Sequence, residues 1–371
     1  MSNQFCRYLS NGYTFFIDKD NTIGTVPCCF FPRTNSIPLN SQILLNRKLK
    51  FESIDRWTDN CSRCKVLEDS GQQSLRQAGI DWIADDETSA DPISIDINID
   101  RKCNAACVIC SSTSSSLWAK EEAKLHNKKI KINKNDEFIA NLIDQIVDTV
   151  SLKKLKYVKF WGGEPLFTDT HLKFIKHIPY PENVTLHYTT NGSIYPSKET
   201  LHEWKKFKTI IFAASLDGID NQFDYVRWPL TWSKVSRNLI RLKENKDIWN
   251  VLFRVEFTAN FLNTYYFDRL EHWIQYNLNT NLSGDKTEIN IHPCWRQWDI
   301  VMMPEDIRIL ILKKYPSSHI IHTTVANLPP PTSLIPWKKF VDTWDNRRNN
   351  SWQTAFPDIA YIIDADKIGP L

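Results

Sequence analysis

Between residues 94 and 292 two hydrophobic periods alternate along the chain. Short stretches at 94–99, 157–161, 185–189, 210–215, 251–258 and 288–292 read as β-strands, several of them alternating apolar and polar positions. Between them, residues 137–150, 169–177, 197–207, 232–244 and 265–276 carry the period of amphipathic helices, several opening on Asp, Ser or Thr caps. Strands separated by helices pair in parallel through helical crossovers, so the segment predicts an α/β fold with six βα units.

The strand faces divide by polarity. Ile95, Ile97 and Ile99 share one side of the first strand, and Asp96 and Asn98 share the other. Val255 and Phe257 oppose Arg254 and Glu256; Ile289 and Ile291 oppose Glu288, Asn290 and His292; His187 and Thr189 share a face of the third strand. Helices cover an apolar face, so the polar faces are expected to line a wet lumen, whereas a packed barrel interior would be branched aliphatic. An open sheet with one solvated face is the alternative.

The flanks differ. Residues 13–18 and 23–26 predict a hairpin that delivers Pro27, Cys28 and Cys29 at its end, and residues 65–92 are polar up to a boundary at Asp91-Pro92. Beyond 293 the alternation stops. Helices are expected at 306–314 and 337–348, separated by Pro329 to Pro331, with Trp295, Trp298, Trp337, Trp344 and Trp352 forming core or interface. Three parts follow: a cysteine-rich 1–90, a strand–helix domain 91–292, and a mostly helical extension 293–371.

The 371 residues suffice for one barrel-sized domain plus additions. With 42% apolar residues, 24% charged residues and a net charge of +3, the balance gives no reason to expect a nucleic-acid or membrane partner. No export signal or bilayer-length apolar run stands out, so a cytoplasmic protein is expected. Nine cysteines at close spacings in such a chain point to metal or redox chemistry rather than disulfides.

Cys103, Cys107 and Cys110 form a C-x3-C-x2-C run directly after the first strand, a soft ligand set suited to zinc, copper(I) or an iron–sulfur cluster. Gly162-Gly163-Glu164-Pro165 ends the second strand, Thr189-Thr190-Asn191-Gly192 the third, and Ser215-Leu216-Asp217-Gly218 the fourth. Strand C-terminal ends are where barrel active sites form. Two glycines let backbone approach a ligand closely, and Glu164 can accept from an ammonium group.

Together these motifs resemble the radical S-adenosylmethionine (SAM) superfamily. The resemblance implies a partial (β/α)6 TIM-like barrel in which the three cysteines hold a 4Fe-4S cluster with one iron open to SAM. It implies that Gly162, Gly163, Glu164 and Pro165 hold the methionine amine. Asn191, Ser215 and Asp217 lie around its carboxylate and ribose, and Arg227 pairs with the carboxylate through its guanidinium fork. Arg254 and Glu256 are expected to contact ribose or substrate, and His187 and His292 are acid–base candidates. Ile109 stands where relatives usually carry an aromatic residue, so an aliphatic side chain would cover the adenine.

Cys6, Cys28, Cys61 and Cys64 offer four ligands for a second site, with Cys29 an alternative to Cys28. They resemble the twitch form of the SPASM auxiliary-cluster module, placed before the barrel instead of after it. The resemblance implies a second 4Fe-4S cluster; zinc is the alternative that spacing leaves open. Cys294, after the sixth strand, reads as buried filler.

The resulting expectation is an enzyme that cleaves SAM to a 5′-deoxyadenosyl radical and takes hydrogen from a peptide or protein, causing oxidation, crosslinking or epimerisation. A small molecule such as an aminosugar or nucleotide is the alternative substrate. A reduced flavodoxin- or ferredoxin-type donor would supply electrons. The alternative of another class is a non-catalytic zinc or iron–sulfur structural protein.

Overall fold

The computed structural model describes residues 6–18, 20–52, 57–69, 74–80, 91–127, 136–246, 248–279, 287–294 and 296–363. Trp295, expected in the aromatic core of the extension, lies outside them. The six expected strands form as β4 (Ser94–Asn98), β5 (Tyr157–Phe160), β6 (Thr185–Thr190), β7 (Thr209–Ser215), β8 (Val251–Ala259) and β9 (Glu288–Pro293), each pairing in parallel with the next. The first segment supplies β1 (Gly12–Ile17), β2 (Ile23–Val26) and β3 (Ile37–Pro38).

All nine strands belong to one sheet, in the order β3-β2-β1-β4-β5-β6-β7-β8-β9, and the sheet does not close. The expected hairpin is antiparallel, with Thr14 opposite Val26. Its first strand also pairs in parallel with β4, from Gly12 opposite Ser94 to Phe16 opposite Asn98. The segment boundary at 90/91 thus falls between two hydrogen-bonded neighbours. The stretch 65–92, read from sequence as polar, contains the end of helix Ser62–Asp69 and helix Leu75–Ile80. Both are short and carry too few apolar residues for a helical period to register.

The helices pack against the apolar strand faces. Asp136–Thr149 buries Ile139, Leu142, Ile143 and Ile146, the spacing of one helix face, and Trp232–Lys243 buries Trp232, Val235, Leu239 and Leu242. These join Ile95, Ile97, Val158, Leu186, Ile210, Val255 and Phe257 in the main core, which also takes in Cys294. A smaller core, Leu9, Phe16, Val26 and Phe31, packs against Cys6, Cys28 and Cys61.

The opposite face is polar. In register across neighbouring strands stand Thr14, Asp96, Lys159 and His187, so these side chains share the lumen side. Arg254 stands beside Ala213 and Glu288, and Glu256 beside Ser215 and Asn290.

The extension folds back over the barrel. Helix Ile335–Arg348 buries Trp337, Val341, Trp344 and Arg348, and Trp298, Trp337 and Trp352 lie in the main core.

Candidate active site

The cysteine loop follows β4 directly and is held from three sides. Ala106 N–H donates to Trp228 O at 2.8 Å and Val108 N–H to Val226 O at 2.9 Å, fixing the loop to the segment after β7. Glu164 N–H donates to Lys102 O at 2.8 Å and Gly163 N–H to Ser114 O at 3.1 Å, so the glycine turn after β5 sits on the loop itself. From behind, Trp118 Nε1 donates to Cys107 O at 2.6 Å.

The glycines are required by that close approach. Gly162 and Gly163 have φ of 85° and 57°; an added Cβ would stand 2.1 Å from Asn98 Oδ1 at the first and 2.4 Å from Lys102 O at the second. No other residue fits both space and dihedral.

Glu164 is buried, and its carboxylate accepts from Leu166 N–H (3.2 Å), Thr190 Oγ1 (2.7 Å) and Asn191 N–H (2.7 Å). Burial raises its pKa, and the bonds from Asn191, Thr190 and Leu166 oppose the rise. The Asn191 side chain is likewise engaged: Nδ2 donates to Asn104 Oδ1 at 3.0 Å, while Oδ1 accepts from Ser193 N–H at 2.9 Å. Asn104 in turn donates to Ser193 Oγ at 2.8 Å. The carboxylate and the Asn104–Asn191–Ser193 network tie the tips of β5 and β6 to the cysteine loop.

Arg227 joins the far side. Its Nη2 pairs with Asp217 Oδ2 at 2.6 Å, and its Nη1 lies 3.8 Å from Cys107 Sγ. Asp217, wholly buried, also accepts from Thr258 N–H at 2.8 Å. Burial raises the Asp217 pKa against the pull of Arg227. Burial works against the Arg227 charge, yet Asp217 and Cys107 hold the guanidinium above its ordinary value.

Burial pushes the Cys103 thiol up to about 12, with Cys107, Glu164 and Cys110 adding negative charge beside it; Cys107 rises to about 11, opposed by Arg227. Two thiols that resist ionisation in one loop, Cys103 and Cys107, require a cationic ligand to become thiolates, and metal coordination supplies it. The donor set, the close approach of the glycine turn and the Arg227 contact fit a sulfur-ligated cluster.

At the other end of β1, Cys6, Cys28, Cys61 and Cys64 line one small cavity together with Tyr8, Arg63 and Arg76. Burial raises the pKa of Cys6 to about 12 and that of Cys28 well above its ordinary value. Backbone N–H groups of Tyr8 and Leu9 face Cys6, those of Leu75 and Arg76 face Cys64, and that of Phe30 faces Cys28. Cys29 is not among the residues lining the cavity; its thiol meets Asp96 and Lys159 of the lumen and is pushed by burial to about 12.

Among the described residues no group of three or more His, Cys, Asp or Glu side chains is gathered tightly enough to chelate a single ion.

In the lumen, Tyr157 OH and His187 Nδ1 are 2.5 Å apart, and His187 is kept neutral by burial and by Lys159 and Arg254. Arg254 pairs with Glu288 at 2.5 Å, and Glu256 with His292 at 2.5 Å. Ser215 closes β7 beside Glu256, Pro165 opens the short turn Pro165–Phe167, and Ile109 packs against the main core. Sequence reasoning missed Asn104, Ser193, Lys159 and Trp118. Asn104 lies inside the cysteine run and Lys159 on the polar face of a predicted strand, so both carried a signal; the partners of Ser193 and Trp118 come from distant segments.

Residues 97–255 match the family model described as the Radical SAM superfamily, so this segment carries a radical SAM domain. No curated protein sequence matches the chain significantly. Solved structures similar to it include anSMEcpe with bound AdoMet, 16% identical with a TM-score of 0.40, covering 60% of this chain and 59% of that one. Streptococcus suis SuiB bound to the precursor peptide SuiA is 14% identical with a TM-score of 0.37, covering 81% and 64%. The chain therefore spans less than two thirds of the length of these neighbours. No helix among the described residues is long and apolar enough to cross a membrane.

Proposed function

We propose that the chain is a radical SAM enzyme that takes hydrogen from a peptide or protein held in the polar lumen. The observation that carries the reading is the glycine turn seated on the cysteine loop, with Arg227 against Cys107 on the other side. In this reading Cys103, Cys107 and Cys110 hold the 4Fe-4S cluster. With SAM bound, this cofactor pair would supply a 5′-deoxyadenosyl radical.

The remaining tasks belong to side chains and backbone. Gly162 and Gly163 keep the turn free of Cβ atoms where a ligand's head-group approaches, and Pro165 fixes its exit. Glu164 braces the turn: three of its roughly four acceptor sites are taken, leaving about one for an ammonium group. Asn191 sets the β6 tip against the loop. Asp217 anchors Arg227, whose charge faces the cysteines and a bound carboxylate, and Ser215 and Arg254 line the lumen nearby.

The lumen carries buried polar atoms without partners among the described residues, His187 Nε2, Thr189 Oγ1 and Trp161 Nε1. Such atoms favour a ligand rich in N–H and C=O groups, which a peptide backbone supplies; a polyhydroxylated small molecule such as an aminosugar is the second reading. Cys6, Cys28, Cys61 and Cys64 are assigned a second 4Fe-4S cluster in preference to zinc. Its complete thiolate shell favours electron transfer over substrate ligation. A flavodoxin- or ferredoxin-type protein is the proposed donor.

The test is release of 5′-deoxyadenosine from SAM under dithionite after anaerobic reconstitution. Wild type is expected to release it and Cys107→Ala to release none; a wild type that binds iron and releases none would reduce the chain to a structural iron–sulfur protein.

A further inference from the structure

Arg348, the last residue of helix Ile335–Arg348, is a buried cation far along the chain from the expected motifs. Its guanidinium lies over three indole rings, Trp118 at 4.5 Å, Trp228 at 4.6 Å and Trp344 at 5.1 Å. Its Nη1 and Nη2 have no hydrogen-bond acceptor among the described residues. Its ion pair is a single long contact, Nε to Glu121 Oε2 at 3.4 Å, and the Asp345 carboxylate on the same helix acts on it electrostatically from further off. Arg227, by comparison, is matched by Asp217 at 2.6 Å.

Two of those tryptophans touch the cysteine loop: the Trp118 ring donates from Nε1 to Cys107 O, and the main-chain O of Trp228 accepts from Ala106 N–H. Arg348 and Cys107 are near enough to interact electrostatically. A poorly neutralised positive charge in a low-dielectric setting acts over longer distances than one in water.

We propose that Arg348 holds a fixed positive charge behind Cys107 that makes the cluster easier to reduce, so the C-terminal extension is an electrostatic part of the radical-generating site. The proposal rests on the reading that Cys103, Cys107 and Cys110 hold that cluster. Adding an electron to an iron–sulfur centre already ringed by thiolates is opposed by their charge; a nearby cation offsets that opposition, and net charge is one of the determinants of cluster potential. Glu121 works in the opposite sense. Packing alone would be served by any large apolar side chain at position 348.

The experiment is a potentiometric titration followed by electron paramagnetic resonance, on the full chain reconstituted anaerobically without SAM, in a Cys61→Ala, Cys64→Ala background so that one cluster is read. Arg348→Gln is expected to lower the ratio of reduced to oxidised cluster at fixed potential about tenfold, about 59 mV for a one-electron couple. Arg348→Lys should stay within about threefold of the parent, and Glu121→Gln should raise the ratio. Should Arg348→Gln fold poorly, Glu121→Gln reports the same field with the opposite sign. Ratios unchanged in both charge-neutralising variants, with a normal cluster signal, would overturn the proposal and leave Arg348 a packing residue. Absence of any cluster in the Cys61→Ala, Cys64→Ala parent would instead overturn the reading on which it rests.

Discussion

Cys28 and Cys29 are adjacent in the chain and serve different compartments. Cys28 lines the four-cysteine cavity, while Cys29 turns to Asp96 in the lumen. Cys28→Ala is therefore expected to lose the iron and sulfide of the second site and Cys29→Ala to keep them, measured after anaerobic reconstitution; equal loss in both would remove the distinction. A separate expectation concerns His171, which burial holds neutral with a pKa near 3 against an ordinary 6.5. The unfolded chain takes up a proton below pH 6.5 that the fold refuses until about pH 3. This contribution to stability is thus complete above 6.5 and lost as pH falls. Each such imidazole removes about 1.4 kcal/mol per pH unit on the acid side. His171→Gln, able to keep a bond to Tyr188, should give a shallower decline in urea-unfolding free energy between about pH 6 and about pH 4.

Among the elements, helix Ser116–Leu125 and helix Ile335–Arg348 clasp the back of the cysteine loop. Trp118 meets Trp344 edge-on at 4.7 Å between ring centres, and Ser115 caps the first helix while donating to Ala105 O. Trp344→Ala should destabilise the chain by about 3–5 kcal/mol, read by denaturant unfolding. It should also lower the iron retained at Cys103, Cys107 and Cys110, because the loop loses its backing. The cysteine run was legible from sequence, since it is local. The clasp was not: aromatic content at 337–352 signalled burial without saying against what. Helices in the barrel were legible because each buries a continuous stripe, whereas Ser62–Asp69 and Leu75–Ile80 carry too little apolar surface to show one.

For the whole molecule the consequential feature is β1, which continues the barrel's parallel sheet beyond β4. Removing residues 1–90 would expose a buried apolar strand as an edge, so that truncation is expected to aggregate instead of yielding a free-standing barrel, as size-exclusion chromatography would show. A monomeric, folded 91–371 would mean the first segment is dispensable to the sheet. The sequence alone determined the alternation of strands and helices, the polar lumen face and the two cysteine sets, because these depend on periodicity and short spacing. Only the tertiary structure decided that Thr14 meets Asp96, 82 residues away, that Cys28 and not Cys29 faces the cavity, and that Arg348 stands behind Cys107. Those choices depend on pairing register and on packing between remote segments, which no local pattern encodes.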